Sequence, residues 1–290
     1  MSGEPVLTAH GVSIRYEVDP PVEAVKDVSL TLHRGEILGL AGESGCGKTT
    51  LAYGMTRLLK APAVMTGGDV VFHDASGEDI DVVALSGEGL RRFRWNKVSM
   101  VFQGSMNSLN PVMSVRKQLH DVFKTHRRGM GKAERETRSA ELLQLVGVDP
   151  SRLSSFPHQL SGGMRQRVMI AMALSLDPQV MIMDEPTTAL DVVVQRGIIR
   201  EIMRLRERLG FAVVFITHDL PLLIEISDHI AVMRDGRIIE QGTAEQIYRR
   251  PADAYTKQLL ASFPSLTGDR GAFIRGREET GRSITTEGAA

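Results

Sequence analysis

The sequence predicts an α/β fold organised on a parallel sheet, and three stretches carry that prediction. Residues 36–41 read as a buried strand, the glycine-rich run 42–49 follows directly, and a helical pattern occupies 50–59. Residues 180–184 form a second apolar run that ends in adjacent carboxylates, Asp184 and Glu185. Ahead of it, Ser161, Gly162 and Gly163 stand just before a helix predicted over 164–176. Near-continuous apolar runs mark parallel strands covered on both faces, and such sheets hold ligands at the carboxyl ends of their strands.

The remaining elements follow in order. Residues 6–32 alternate apolar and polar positions and predict two half-buried strands joined by a loop at Pro20 and Pro21. Short strands are expected around 67–72 and 98–102, with a charged surface helix or loop over 85–94 between them. Helices are predicted at 115–126 and 132–146, the second ended by Gly147 and Pro150. After the acidic pair come a helix at 192–209, a strand at 212–217, a helix after Asp219, a strand at 230–233, and a turn at Asp235 and Gly236 into 237–240. Residues 265–290 offer little to bury and are expected to be a disordered tail.

Composition narrows the function classes. Lys plus Arg and Asp plus Glu both total 35, so no net field favours nucleic acid or an anionic membrane surface. No uncharged apolar run approaches the roughly 18 residues of a spanning helix. The first residues lack the basic and apolar regions of a signal peptide, so none is expected. Cys46 is the only cysteine, which excludes an intrachain disulfide and points to a cytosolic chain. The basic cluster at Arg127, Arg128, Lys132, Arg135 and Arg138 is balanced by Glu134, Glu136 and Glu141 and reads as a solvated helical face.

The chemistry gathers at strand ends. Residues 42–49 match G-x-x-x-x-G-K-[ST] between a strand and a helix, the context that motif needs. Gly42, Gly45 and Gly47, with Glu43, Ser44, Cys46 and Thr50 around them, let backbone N–H groups curl round phosphate oxygens. Lys48 supplies a point charge, and the Thr49 hydroxyl is placed for Mg²⁺. Successive side chains at a strand end point opposite ways, so Asp184 is expected at the metal's water shell and Glu185 at an attacking water. His218 follows the strand at 212–217 and is expected to contact a terminal phosphate. Gln103 ends another strand and is expected at the metal or that water. Tyr16, at the end of the first strand, is expected to stack on a base. Ser161, Gly162 and Gly163 at a helix start make an anion site.

With these residues placed, the chain resembles the nucleotide-binding subunits of ATP-binding cassette (ABC) transporters. The likeness covers roughly 6–264 and carries the motifs in order: Tyr16, the loop 42–49, Gln103, the signature 160–167, the strand 180–185, the loop 189–191 with Asp191, and His218. It implies a P-loop NTPase (RecA-like) core with an antiparallel β subdomain and an α-helical signature subdomain. Residues 1–264 would form that domain, with the helical part at about 106–160 inserted in it. Segments at 108–112, 156–161, 164–173 and 255–260 look like dipeptide and oligopeptide importer ATPases, most of all the D type, which works beside an F-type homologue. The sequence departs from that pattern at Gly104, where an acidic residue is usual, and at Val194, where Thr is usual. It also lacks the C-terminal cysteines that hold an iron–sulfur cluster in some members.

The resemblance implies ATP and Mg²⁺ as cofactors, and a catalytic set of Glu185, His218, Gln103 and Lys48. Thr49, Gln103 and Asp184 would serve the metal. Two such chains would close head to tail, with Ser161, Gly162, Gly163 and Asp191 facing the nucleotide of the partner. Implied partners are two transmembrane permease subunits, a second ATPase that is an F-type homologue or a copy of this chain, and, indirectly, an extracytoplasmic solute-binding protein. The implied place is the cytoplasmic face of the cell membrane. A competing expectation is a soluble ABC ATPase of DNA repair or translation; the neutral charge and the 108–112 segment favour the importer. A chain that binds ATP without hydrolysing it is disfavoured by the presence of both Glu185 and His218.

Overall fold

The computed structural model describes residues 3–104, 108–188 and 190–262. Two sheets lie at its centre. The first is antiparallel, in the order β2 (Val22–His33), β1 (Pro5–Tyr16), β4 (Ala63–His73), β5 (Asp79–Asp81). The second has six strands, in the order β10 (Arg237–Thr243), β9 (His229–Arg234), β3 (Ile37–Ala41), β8 (Ala212–Ile216), β7 (Val180–Asp184), β6 (Val98–Val101). All its neighbours pair parallel except β9 with β10. The expected parallel sheet and antiparallel subdomain are both present.

Each central strand sends alternate residues into opposite cores, as the two-residue period of a strand requires. Leu38, Leu40, Val180, Ile182, Val214 and Ile216 pack toward the antiparallel sheet and α1 (Lys48–Met55). Ile37, Met181, Met183, Val213 and Phe215 pack toward the helices on the other face. Both faces are covered, so these strands are apolar throughout.

The helical side holds α3 (Val115–His126), α4 (Lys132–Leu145), α5 (Gly162–Ala173), α6 (Val192–Leu209) and α7 (Leu220–Ile226). Leu119, Phe123, Leu142 and Leu143 bury one face of α3 and α4, and both helices pack on α5. No helix among the described residues is long and apolar enough to cross a membrane.

Several boundaries differ from expectation for local reasons. Helix α1 stops at Met55, short of residue 59, because Arg57 takes a positive φ of 58° and the Thr56 hydroxyl bonds the Ala52 carbonyl at 2.8 Å. Helix α5 begins at Gly162, before residue 164, because the Ser161 hydroxyl accepts from the Met164 N–H at 3.3 Å and caps it. The charged segment near 85–94 is helix α2 (Gly87–Asn96), and it is not wholly on the surface. Phe93 is buried and meets Phe72 edge to face at 5.6 Å. The helix loses regular geometry at Arg94 and Trp95. Strand β5 and the helices α8 (Ala244–Arg249) and α9 (Ala254–Ala261) are too short to carry a periodic signal. The expected tail and Met106, the expected start of the helical insertion, lie outside the described residues.

A polar knot fastens the antiparallel sheet to the core. Asp74, just past β4, is buried and accepts from Lys97 Nζ at 2.6 Å, Gln179 Nε2 at 2.5 Å and Ser76 Oγ at 2.6 Å. Arg34 donates to Gln179 Oε1 at 2.9 Å and to the His73 carbonyl at 2.7 Å. Burial pushes the Asp74 carboxyl up, but the hydrogen bonds from Lys97, Ser76 and Gln179 outweigh it and hold it well below the usual carboxylate range. A depressed carboxyl stabilises the fold above its unfolded pKa, and that contribution fades as pH falls toward the folded value. Asp74→Asn is therefore expected to cost about 2 kcal/mol in urea denaturation at pH 7. The gap from wild type should narrow below about pH 4; a gap independent of pH would contradict the charged role.

Candidate active site

The site is built at the carboxyl ends of β3, β7 and β8. After β3 the chain turns through the glycine-rich loop into α1. Gly42 has φ 148°, and a Cβ there would stand 2.2 Å from the Met233 carbonyl oxygen. Gly47 has φ 107°, and a Cβ there would stand 2.3 Å from the Ala24 carbonyl oxygen. Strands β9 and β2 come so close to the loop that both positions require glycine. The loop then curls round Lys48, which is 5% exposed and donates from Nζ to the Gly42 and Glu43 carbonyls at 2.7 Å each.

Strand β7 delivers Asp184 into full burial. Neither of its carboxylate oxygens has a hydrogen bond of regular geometry. Burial raises its pKa; the Thr49 hydroxyl and the Lys48 charge oppose that rise without overcoming it, while neighbouring Glu185 adds to it. A buried, unpaired carboxylate beside a threonine hydroxyl fits a hard cation. Among the described residues no group of three or more His, Cys, Asp or Glu is placed to hold a metal. A cation here would draw its other ligands from phosphate oxygens and water, which is the habit of Mg²⁺.

Glu185 follows with φ 44°, a conformation that costs a non-glycine residue, and its N–H bonds the Ile216 carbonyl at 2.9 Å. That turn swings the carboxylate away from Asp184 and into a cluster. Glu185 Oε2 accepts from Thr188 Oγ1 at 2.9 Å and Gln103 Nε2 at 3.1 Å, and Oε1 lies 3.1 Å from His218 Nδ1. Burial works to raise its pKa, but the hydrogen bonds from His218 and Thr188 prevail and keep it below the ordinary value. Glu185 is thus ionised at neutral pH, and His218 and Gln103 are held against it. Two residues from other strand ends, Gln103 after β6 and His218 after β8, thus meet this carboxylate.

A cavity of about 630 Å³ opens over the loop. It is lined by Tyr16, Glu43 to Thr50, Gln103 and Glu185. The Tyr16 hydroxyl lies 3.1 Å from Thr50 Oγ1. Val22, Glu23, Ala24, Lys26, Arg234, Asp235, Gly236 and Tyr255 also line it and were not singled out for the site. They lie on the antiparallel sheet, the turn between β9 and β10, and α9. The turn residues Asp235 and Gly236 were visible only as a turn, and Tyr255 only as part of a family likeness.

The signature residues are elsewhere. Ser161, Gly162 and Gly163 stand at the start of α5 and do not line the cavity. A Cβ on Gly163 would meet Val194 Cγ1 at 2.7 Å, so that glycine also allows α5 to approach α6. Asp191 caps α6 by accepting from the Val194 N–H at 3.0 Å, beside the exposed Val192 and Val193. Ala189 of the same loop lies outside the described residues. The starts of α5 and α6 and the two exposed valines thus lie apart from the cavity of their own chain.

Known proteins resemble this chain in sequence and fold. Residues 25–188 match the family model described as ABC transporter. The chain is 42% identical over 252 residues to a probable peptide ABC transporter ATP-binding protein of Sinorhizobium fredii, covering 86% of this chain and 73% of that one. It is 41% identical over 270 residues to the glutathione import ATP-binding protein GsiA of Salmonella typhimurium, covering 92% of this chain and 43% of that longer protein. Among solved structures it resembles a dimeric ATP-binding cassette in a post-hydrolysis state bound to ADP and Pi, with a TM-score of 0.70 and 29% identity over 82% of this chain and 98% of that one. The chain belongs to the ABC transporter family, as one of its ATP-binding, ATP-hydrolysing subunits.

Proposed function

We propose that this chain drives the uptake of peptides or a related small solute, such as a short thiol peptide, through a membrane permease. The observation that carries its chemistry is the cavity in which Lys48 and the glycine-rich loop stand opposite Glu185, with Gln103 and His218 gathered on that carboxylate. ATP lies with its base against Tyr16 and its phosphates in the loop 43–50. Lys48 exchanges its two carbonyl contacts for phosphate oxygens. Glu185 accepts a hydrogen bond from a water whose oxygen bonds to the γ-phosphorus as the bond to the bridging oxygen breaks and ADP leaves. His218 moves from Glu185 toward the γ-phosphate as charge develops there. Thr49, Asp184 and Gln103 would hold Mg²⁺, which supplies charge neutralisation between the β- and γ-phosphates.

Ser161, Gly162, Gly163 and Asp191 serve the nucleotide of a second cassette, an F-type homologue or a copy of this chain. Their absence from the lining of their own cavity supports that division. The helical part, about 106–160, docks against a membrane permease of two subunits at the cytoplasmic face of the membrane, and an extracytoplasmic solute-binding protein delivers the cargo. The import names of the relatives support this reading over a soluble ATPase of DNA repair or translation. Affinity purification of the chain from detergent-solubilised membranes is expected to recover two polytopic proteins. Recovery of ribosomes or nucleic acid in their place would overturn the importer reading.

The metal assignment has its own signature. Asp184→Asn removes a buried charge that the Thr49 hydroxyl and Lys48 offset only in part, so without nucleotide it should melt about 2–4 °C above wild type. It should also lose the added thermal protection that Mg²⁺ gives to ATP. A lower melting temperature with Mg²⁺-dependent protection intact would contradict both the burial argument and the metal role.

A further inference from the structure

Helix α9 begins beside the phosphate loop, and its anchorage there is detailed. Glu240 on β10 accepts from the Ala252 and Asp253 N–H groups at 2.6 and 3.1 Å, and Asp253 Oδ1 accepts from the Tyr255 N–H at 2.7 Å. The Tyr255 ring is 5% exposed, and the Arg234 guanidinium sits 4.7 Å from its centroid. The ring is thereby fixed with its hydroxyl turned to the loop, where Oη accepts from the Glu43 N–H at 3.2 Å.

That N–H belongs to the same planar peptide unit as the Gly42 carbonyl, which accepts from Lys48 Nζ at 2.7 Å. One rigid peptide is gripped on its two opposite sides, by Tyr255 on the N–H and by Lys48 on the carbonyl. If the Tyr255 contact is lost, only the Lys48 contact on the carbonyl side still holds that peptide. We propose that Tyr255 is a positioning residue: through the 42–43 peptide it presets the backbone of the loop for phosphate, which makes the C-terminal helix part of the nucleotide site. The proposal rests on the nucleotide reading of that loop.

A preset loop binds at lower ordering cost, and once phosphate is bound the loop's own N–H contacts hold its shape. Removing the hydroxyl should therefore weaken binding and spare turnover of what is bound. Tyr255→Phe keeps the ring and its contact with Arg234. In the purified full-length chain, titration calorimetry with a nonhydrolysable ATP analogue should show Kd raised about fivefold. KM for ATP should rise in parallel, while kcat changes less than twofold. Tyr255→Ala, which also loses the ring packing, should in addition melt at a lower temperature without nucleotide. A Tyr255→Phe chain with wild-type Kd, or with lower kcat at unchanged KM, would overturn the positioning role. A wild-type chain that binds no analogue would overturn the nucleotide reading along with it.

Discussion

The fold keeps two opposite charges largely buried at the carboxyl edge of its parallel sheet. Lys48 is buried with its ammonium resting on two carbonyls of its own loop, and Asp184 is buried with neither oxygen hydrogen-bonded. Buried charges without full partners are costly. The surrounding structure supplies what maintains them. Strand β3 ends at a glycine that only a close-packed β9 demands, Gly47 meets β2, and α1 is pressed onto the antiparallel sheet, which the Asp74 knot locks to the core. Phosphate oxygens and a hard cation are the groups that complete such a pair, so the cost of folding is arranged around a ligand.

From that constraint the division of labour follows. Asp184 and Glu185 are neighbours in sequence, yet one is buried and unpaired and the other is drawn by its left-handed backbone into contact with Gln103, Thr188 and His218. The strand end sends one acid into the interior beside Thr49 and the other toward Gln103 and His218. Gln103 and His218 follow different strands, so their shared contact with Glu185 depends on the pairing of β6, β7 and β8. The start of α5 looks outward beside α6, and Gly163 has a packing reason to be glycine in addition to any contact with phosphate.

Much of this was legible in the sequence because it depends on patterns with a fixed physical meaning. Apolar runs ending in Asp184 and His218 placed both at one sheet edge, and the pattern of 42–49 located the loop between β3 and α1 that lines the cavity. The legible part stops where tertiary packing decides. Nothing local says that Phe93 turns a charged segment into a buried helix, or that Arg57 ends α1 early. Glu23, Lys26, Arg234 and Tyr255 reach the cavity from elements whose own sequence carries no phosphate signal. The positive φ of Glu185, which separates the roles of the two acids, is likewise invisible until β7 and β8 are paired.

The central claim is that Glu185 governs turnover and not binding. The direct test is to measure ATP binding and single-turnover hydrolysis side by side for Glu185→Gln and wild type. The geometry predicts that the variant binds ATP within about threefold of wild type, because Lys48 and the loop are untouched, and hydrolyses it at least about a hundredfold more slowly. Hydrolysis at the wild-type rate would contradict the account.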